Sequence, residues 1–181
     1  MTFLVHDLDT MPARGLPAGY RLARLRGADL RRYRDLFRAV GADYLWFSRL
    51  RLDDAALGAI LAAPAVEAFA LLGPSGDIGL LELDFRDPHA AELAFFGLVA
   101  GAIGAGLGMA LMAEALHRAK DRRASALHVH TCDFDHPRAL DFYRRAGFRP
   151  VRRAVEIFVD PRFDGTLPRA AAPRVPLIGR D

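Results

Sequence analysis

The stretch Gly101-Ala102-Ile103-Gly104-Ala105-Gly106-Leu107-Gly108 limits the possible folds of this chain more than any other, because it runs straight into an amphipathic segment. Over residues 109–120 a helix is predicted, with Leu107, Leu111, Met112, Leu116 and Ala119 as its apolar stripe. Glycines at 104, 106 and 108 remove the side chains that would keep a ligand off the backbone. The helix start presents unpaired N–H groups and the positive end of its dipole, so the junction suits an anion such as a pyrophosphate. The same glycines would also serve close packing of a strand on a helix, so the neighbouring residues must decide. A P-loop requires Lys and then Ser or Thr after the last glycine, and Met109 and Ala110 stand there instead. A dinucleotide fold puts its glycine loop after the first strand and an acidic residue at the end of the next, whereas the next strand here ends His128-Val129-His130-Thr131-Cys132.

A run of strands precedes the loop. Residues 66–72 read VEAFALL; a GPSGD turn comes next, and then residues 79–85, in which Leu81, Leu83 and Phe85 alternate with Glu82 and Asp84. A second turn at Arg86, Asp87 and Pro88 leads to residues 91–100, so three strands form an antiparallel meander. Upstream, residues 20–25 are a strand candidate. Residues 29–40 form an amphipathic helix with Leu30, Tyr33, Phe37 and Val40 on one face and arginines 31, 34 and 38 on a solvated one. Asp53 caps a second helix that Pro64 closes. Downstream, Leu127 and Val129 alternate with His128 and His130 on a strand, Pro137 and Gly147 bracket a short helix, and residues 148–159 supply one or two closing strands. Prolines and glycines at 12, 15, 17 and 19, and prolines at 161, 168, 173 and 176, suggest irregular arms over residues 1–19 and 160–181 around one domain at 20–159.

This order of elements resembles the GNAT acyltransferase fold, an α/β architecture with a mixed, mostly antiparallel sheet flanked by helices on both faces. Two stretches carry the resemblance. AELAFFGLVAGAIGAGLGMALM is similar to the family's fourth strand and its pyrophosphate loop, Arg/Gln-x-x-Gly-x-Gly/Ala, aligned on Ile103 to Gly108. HPRALDFYRRAGF is similar to the family's late helix, with Tyr143 four residues before a Gly-Phe pair.

The resemblance implies an N-acyltransferase that takes acetyl-CoA or another acyl-CoA as co-substrate and an amine as acceptor. The backbone of Ile103, Gly104, Ala105, Gly106, Leu107 and Gly108 would hold the pyrophosphate, and that of Leu98 and Val99 would meet the acetyl and pantetheine end. Tyr143 falls where the family often keeps the acid that protonates the leaving thiolate, and Glu92 where some members keep the base that deprotonates the attacking ammonium, directly or through water. Two positions depart from the pattern: Ile103 replaces the usual Arg or Gln, and His136 replaces an Asn that touches the cofactor. A fold that binds CoA without catalysis, as a sensor or docking module, is the alternative reading.

Several of these residues also have plainer readings. Tyr143 serves equally as a core residue, Glu92 as a solvated strand-end carboxylate, and His136 as a helix cap. Trp46 is either core or a wall of the acceptor pocket; in the latter reading Arg49 or Arg51 would hold an acidic group of the substrate. His128 and His130 share a strand face, which suits surface histidines or else a proton shuttle or metal pair; His130 is counted toward the pocket, and no metal is expected. Cys132, the single cysteine, excludes an intrachain disulfide and reads as structural. A net charge of +3 carries no nucleic-acid signature, and the sequence has no secretory signal or apolar run of membrane-spanning length. A cytoplasmic protein, with a homodimer open, is therefore expected.

Overall fold

The structure, a computed structural model, describes residues 1–13, 15–87 and 91–179. Its strands are β1 (Thr2–His6), β2 (Arg21–Leu25), β3 (Val66–Gly73), β4 (Gly76–Asp84), β5 (Ala91–Leu98), β6 (Leu127–Thr131) and β7 (Arg149–Arg153). Its helices are α1 (Leu30–Gly41), α2 (Asp54–Ala62), α3 (Leu107–Asp121) and α4 (Ala139–Arg145). The strands form one sheet in the order β2-β3-β4-β5-β6-β1-β7, antiparallel at every junction but β5–β6.

Alternation along the strands explains the two layers of helices. Ala68, Ala70 and Leu80 pack with Tyr33, Phe37 and Leu57 of α1 and α2. Their neighbours Phe69, Leu71, Leu81 and Leu83 pack with Leu111, Met112 and Leu116 of α3 on the opposite face. As expected, Asp53 caps α2: its Oδ1 accepts from the Ala56 N–H at 2.7 Å. The turn after β4 is held by Arg86, whose guanidinium forks onto Asp84; its third residue, Pro88, lies outside the described residues.

Both terminal arms need correction. Residues 1–19 are not an irregular arm, because Thr2–His6 forms β1 and runs antiparallel between β6 and β7. Leu4 and Val5 in β1 are buried. The connection to β2 crosses the α3 layer, where Leu8, Met11 and Leu16 join the core and Pro12 O lies 3.0 Å from His117 Nε2. Residues 160–179 contain no helix or strand but are folded. Buried Arg162 pairs with Asp160 at 2.7 Å and donates to the carbonyls of Ala171, Val175 and Pro176. Leu167, Ala171 and Ala172 pack there on Leu45. Two boundaries also differ: α4 begins at Ala139, two residues past Pro137, and the closing strand ends at Arg153.

Candidate active site

The site begins where β5 and β6 part. Their parallel pairing covers Ala91 with Leu127 and Glu92 with His128, and it ends there. In the same stretch Glu82 opposes Phe95 while Leu83 opposes Leu93, so Ala94 is an extra residue in β5. Such a bulge bends its strand and re-aims the residues beyond it. Val99 N–H donates to Ile78 O at 2.9 Å. Antiparallel alternation therefore turns the amides of Leu98 and Phe96 away from β4, into the gap on the β6 side. A cavity of about 750 Å³ opens there, lined by the end of β5, the glycine loop, the α1–α2 connection, the β6–α4 loop and α4.

The glycine loop has the geometry of an anion cradle. Gly104 and Gly106 have φ of +97° and +78°, and a Cβ at either position would meet nothing within 4 Å. They are glycines because of the backbone conformation, and open space lies above them. Gly106 is the N-cap of α3, whose first turn has no acidic residue and no side-chain cap to occupy its N–H groups. Gly108 is tight: a Cβ there would lie 3.3 Å from the Phe142 ring of α4. Two of the expected amides are already engaged. Ile103 N–H donates to Ala100 O at 3.3 Å and Val99 N–H to Ile78 O, which leaves Leu98 and the residues after Ile103. The Ile103 side chain is 38% exposed beside the loop.

Tyr143 projects from α4 into an aromatic packet, with ring centroids 5.6 Å from Phe142, 5.8 Å from Phe148 and 6.4 Å from Phe96. It lines the same cavity as Leu98, and burial pushes its phenol above the ordinary value, so it stays protonated. Glu92 and His130 also line this cavity, with Glu92 Oε1 3.6 Å from His130 Nδ1. Glu92 raises the imidazole pKa, burial opposes this, and Asp135 and Glu156 add to the rise.

The other predicted residues divide. His136 lies on the cavity wall, its Nδ1 accepting from Arg138 N–H at 3.1 Å; it is not the cap of α4, whose N-cap is Arg138. Burial and the nearby arginines lower its pKa. The Trp46 ring packs on Phe37 and Phe95, and it also lines the cavity. Arg49 lines the cavity but does not await an acidic group, because its guanidinium is engaged by the buried Glu82, with Nη2–Oε1 2.7 Å. Arg51 likewise pairs with Asp164 at 2.6 Å. Burial pushes the Cys132 thiol up, the opposite of activation.

Three features were not expected from the sequence. The Phe96 amide faces the splay. Asp135 organises the β6–α4 loop, its Oδ2 accepting from Thr131 Oγ1 at 2.9 Å and Cys132 N–H at 2.8 Å. The segment after β7 completes a wall through Phe158, whose ring packs at a tilt on Phe47 and edge-on against Phe134. Main-chain donors and contacts across long sequence separations leave no local pattern; for Asp135 the signal was its place in a polar run after a strand.

A mixed sheet splayed beside a glycine loop at a helix start defines a protein of the acyltransferase fold. Residues 19–148, more than half of the chain, match the model of the acetyltransferase (GNAT) family, and the chain belongs to that family. Among solved structures it is similar to an aminoglycoside acetyltransferase, meta-AAC0020, from an uncultured soil metagenomic sample (18% identity, TM-score 0.63, covering 80% of this chain and 98% of that one). It is also similar to a GCN5-related N-acetyltransferase from Kribbella flavida (18% identity, TM-score 0.58, covering 82% of this chain and 53% of that one). A transcriptional regulator from Bacillus halodurans C-125 shares the fold as well (18% identity, TM-score 0.60, covering 77% and 99%). Identities this low speak for the fold alone. No curated protein matches the sequence. Among the described residues, no helix is long and apolar enough to cross a membrane.

Proposed function

We propose that this protein transfers an acyl group, acetyl as the simplest case, from coenzyme A to an amine. The observation that carries this reading is a single cavity that combines unpaired β5 amides, an open glycine cradle and Tyr143. The amides of residues 104–108 hold the pyrophosphate, with Arg138 and Arg145 on the same cavity supplying positive charge. Ile103 contributes no phosphate contact, so the main chain carries that task.

The geometry of β5 supports the following division of chemical roles. Glu92 lies six residues from Leu98, roughly 20 Å of extended chain, so the two cannot serve one carbonyl directly. Phe96 is four residues away, roughly 13 Å, and its N–H is the better donor to the developing oxyanion, with Leu98 toward the pantetheine arm. Glu92, aided by His130, accepts the ammonium proton through intervening water, which frees the lone pair that attacks the thioester carbon. As the C–S bond breaks, Tyr143 gives its proton to the thiolate and its phenolate takes up, through water, the second proton of the attacking nitrogen, so that the amide and free thiol result and the phenol is restored.

The acceptor side suits a cation. The charges of Arg49 and Arg86 are engaged by Glu82 and Asp84, whereas Glu156 on the cavity wall has no ion-pair partner among the described residues. A small-molecule or protein amine fits this environment better than a carboxylate does. Excess acetyl-CoA at ~100 times its Kd should raise the Tm by about 5–10 °C, with ATP and NAD inert, and amine-dependent thiol release should accompany it. Absence of any shift would overturn the acyltransferase reading, and a shift with no release for any amine would favour the non-catalytic module.

A further inference from the structure

We propose that Glu82, acting through Arg49, is a positioning residue that pins the α1–α2 connection against Phe95 and so sets the shape of the acceptor wall. Glu82 is fully buried, and both of its oxygens are engaged. Oε2 accepts from the Tyr33 hydroxyl of α1, and Oε1 takes the Arg49 fork, Nη2 at 2.7 Å and Nε at 3.3 Å. Glu82 stands directly across from Phe95, beside the bulge that opens the splay. The Arg49 guanidinium lies 4.9 Å from the Phe95 centroid, and Phe95 packs edge-on against Trp46 at 5.2 Å. Trp46, Arg49 and Phe95 all line the cavity.

The connection has little regular structure to hold it. After one short turn, Leu45 takes a left-handed φ of 56°, and neither α-helix nor strand resumes until Asp54. Tertiary contacts therefore decide where Trp46 and Arg49 sit. A buried ion pair adds little stability over well-packed apolar residues, but a guanidinium that donates through two N–H groups to one buried carboxylate oxygen has a fixed direction, which an aliphatic contact lacks. Tyr33 stays an O–H donor, since burial and the neighbouring carboxylate push its pKa well above the ordinary value. The unit thus links α1, the sheet and the cavity wall without touching the reacting atoms.

That this wall faces the acceptor rests on the acyltransferase reading; the geometry of the wall does not. Trp46 is the only tryptophan of the chain and sits in this wall, so its fluorescence reports the wall without any turnover. Glu82→Gln and Arg49→Lys should each increase acrylamide quenching of Trp46, raise the acceptor KM by about tenfold with kcat nearly unchanged, and leave the acetyl-CoA Kd at its wild-type value. Should Glu82→Gln fail to fold, Arg49→Lys carries the test, because it keeps a cation beside the carboxylate and removes only the fork. Unchanged quenching in a folded Arg49→Lys protein would overturn the proposal. A loss confined to kcat, or an equal loss of acetyl-CoA affinity, would overturn it too. If the wild type turns over no amine, the acyltransferase reading fails and the quenching comparison still decides the role of Glu82.

Discussion

Two glycines make the phosphate role of the loop separable from its folding role. Gly106 in the loop and Gly165 in the C-terminal segment have φ of +78° and +76°, and a Cβ on either would meet nothing within 4 Å. Alanine at each position therefore carries the same penalty, that of a left-handed L-residue, about 1–2 kcal/mol with no steric addition. For a domain of this size that corresponds to a Tm about 2–8 °C lower in both variants. Only Gly106 borders the open space above the start of α3. A methyl group there keeps a pyrophosphate from the amides and removes at least one charge-assisted hydrogen bond, about 1.5–3 kcal/mol, or a ten- to hundredfold weaker acetyl-CoA complex. Titration calorimetry with acetyl-CoA on Gly106→Ala, Gly165→Ala and wild type reads this difference directly. Equal affinities in all three, with both variants destabilised alike, would refute the cradle and leave the loop a packing device.

Tyr143→Phe keeps the aromatic packet and removes only the acid, so kcat should drop by about 10²–10⁴ with an unchanged acetyl-CoA Kd; steady-state kinetics beside calorimetry checks this. Gly147→Ala combines a φ of +97° with a Cβ 2.7 Å from His6 Nε2, and should cost about 2–4 kcal/mol in urea denaturation. Buried His6 has its pKa lowered from 6.5, burial outweighing Asp9 and Asp7, and its Nδ1 accepts from Leu8 N–H at 2.9 Å. Below about 6.5 the unfolded chain takes up a proton that the native state refuses, so this contribution is complete above that pH and is lost as the pH falls. Urea midpoints between about pH 5 and 8 should rise with pH, and His6→Gln should flatten that slope; an identical slope in the variant would refute the assignment.

The range of the forces involved decides which features the sequence disclosed and which it withheld. Alternation over residues 66–98 and the 3.6-residue stripe of α3 are local consequences of one buried face, so the meander, the glycine loop and the helix behind it were legible. The five residues of β1 carry the same apolar signal. Their membership in the sheet depends on pairings such as Leu4 with Val129, more than a hundred residues away, which no local pattern reports. Arg49 was legible as a candidate pocket residue, and it does line the cavity, but not as one already paired. Its partner Glu82 lies in a strand whose alternation marks position 82 as polar, and hence solvent-facing, although α1 covers that face and buries it completely. The same limit applies to the proposed oxyanion donor. Leu98 and Phe96 both point their amides into the splay, and the choice between them depends on the bulge at Ala94 and the distance to Glu92, which are properties of the folded strand. Residue types thus pointed to the candidate site, whereas the roles proposed within it depend on the pairing of β4 with β5.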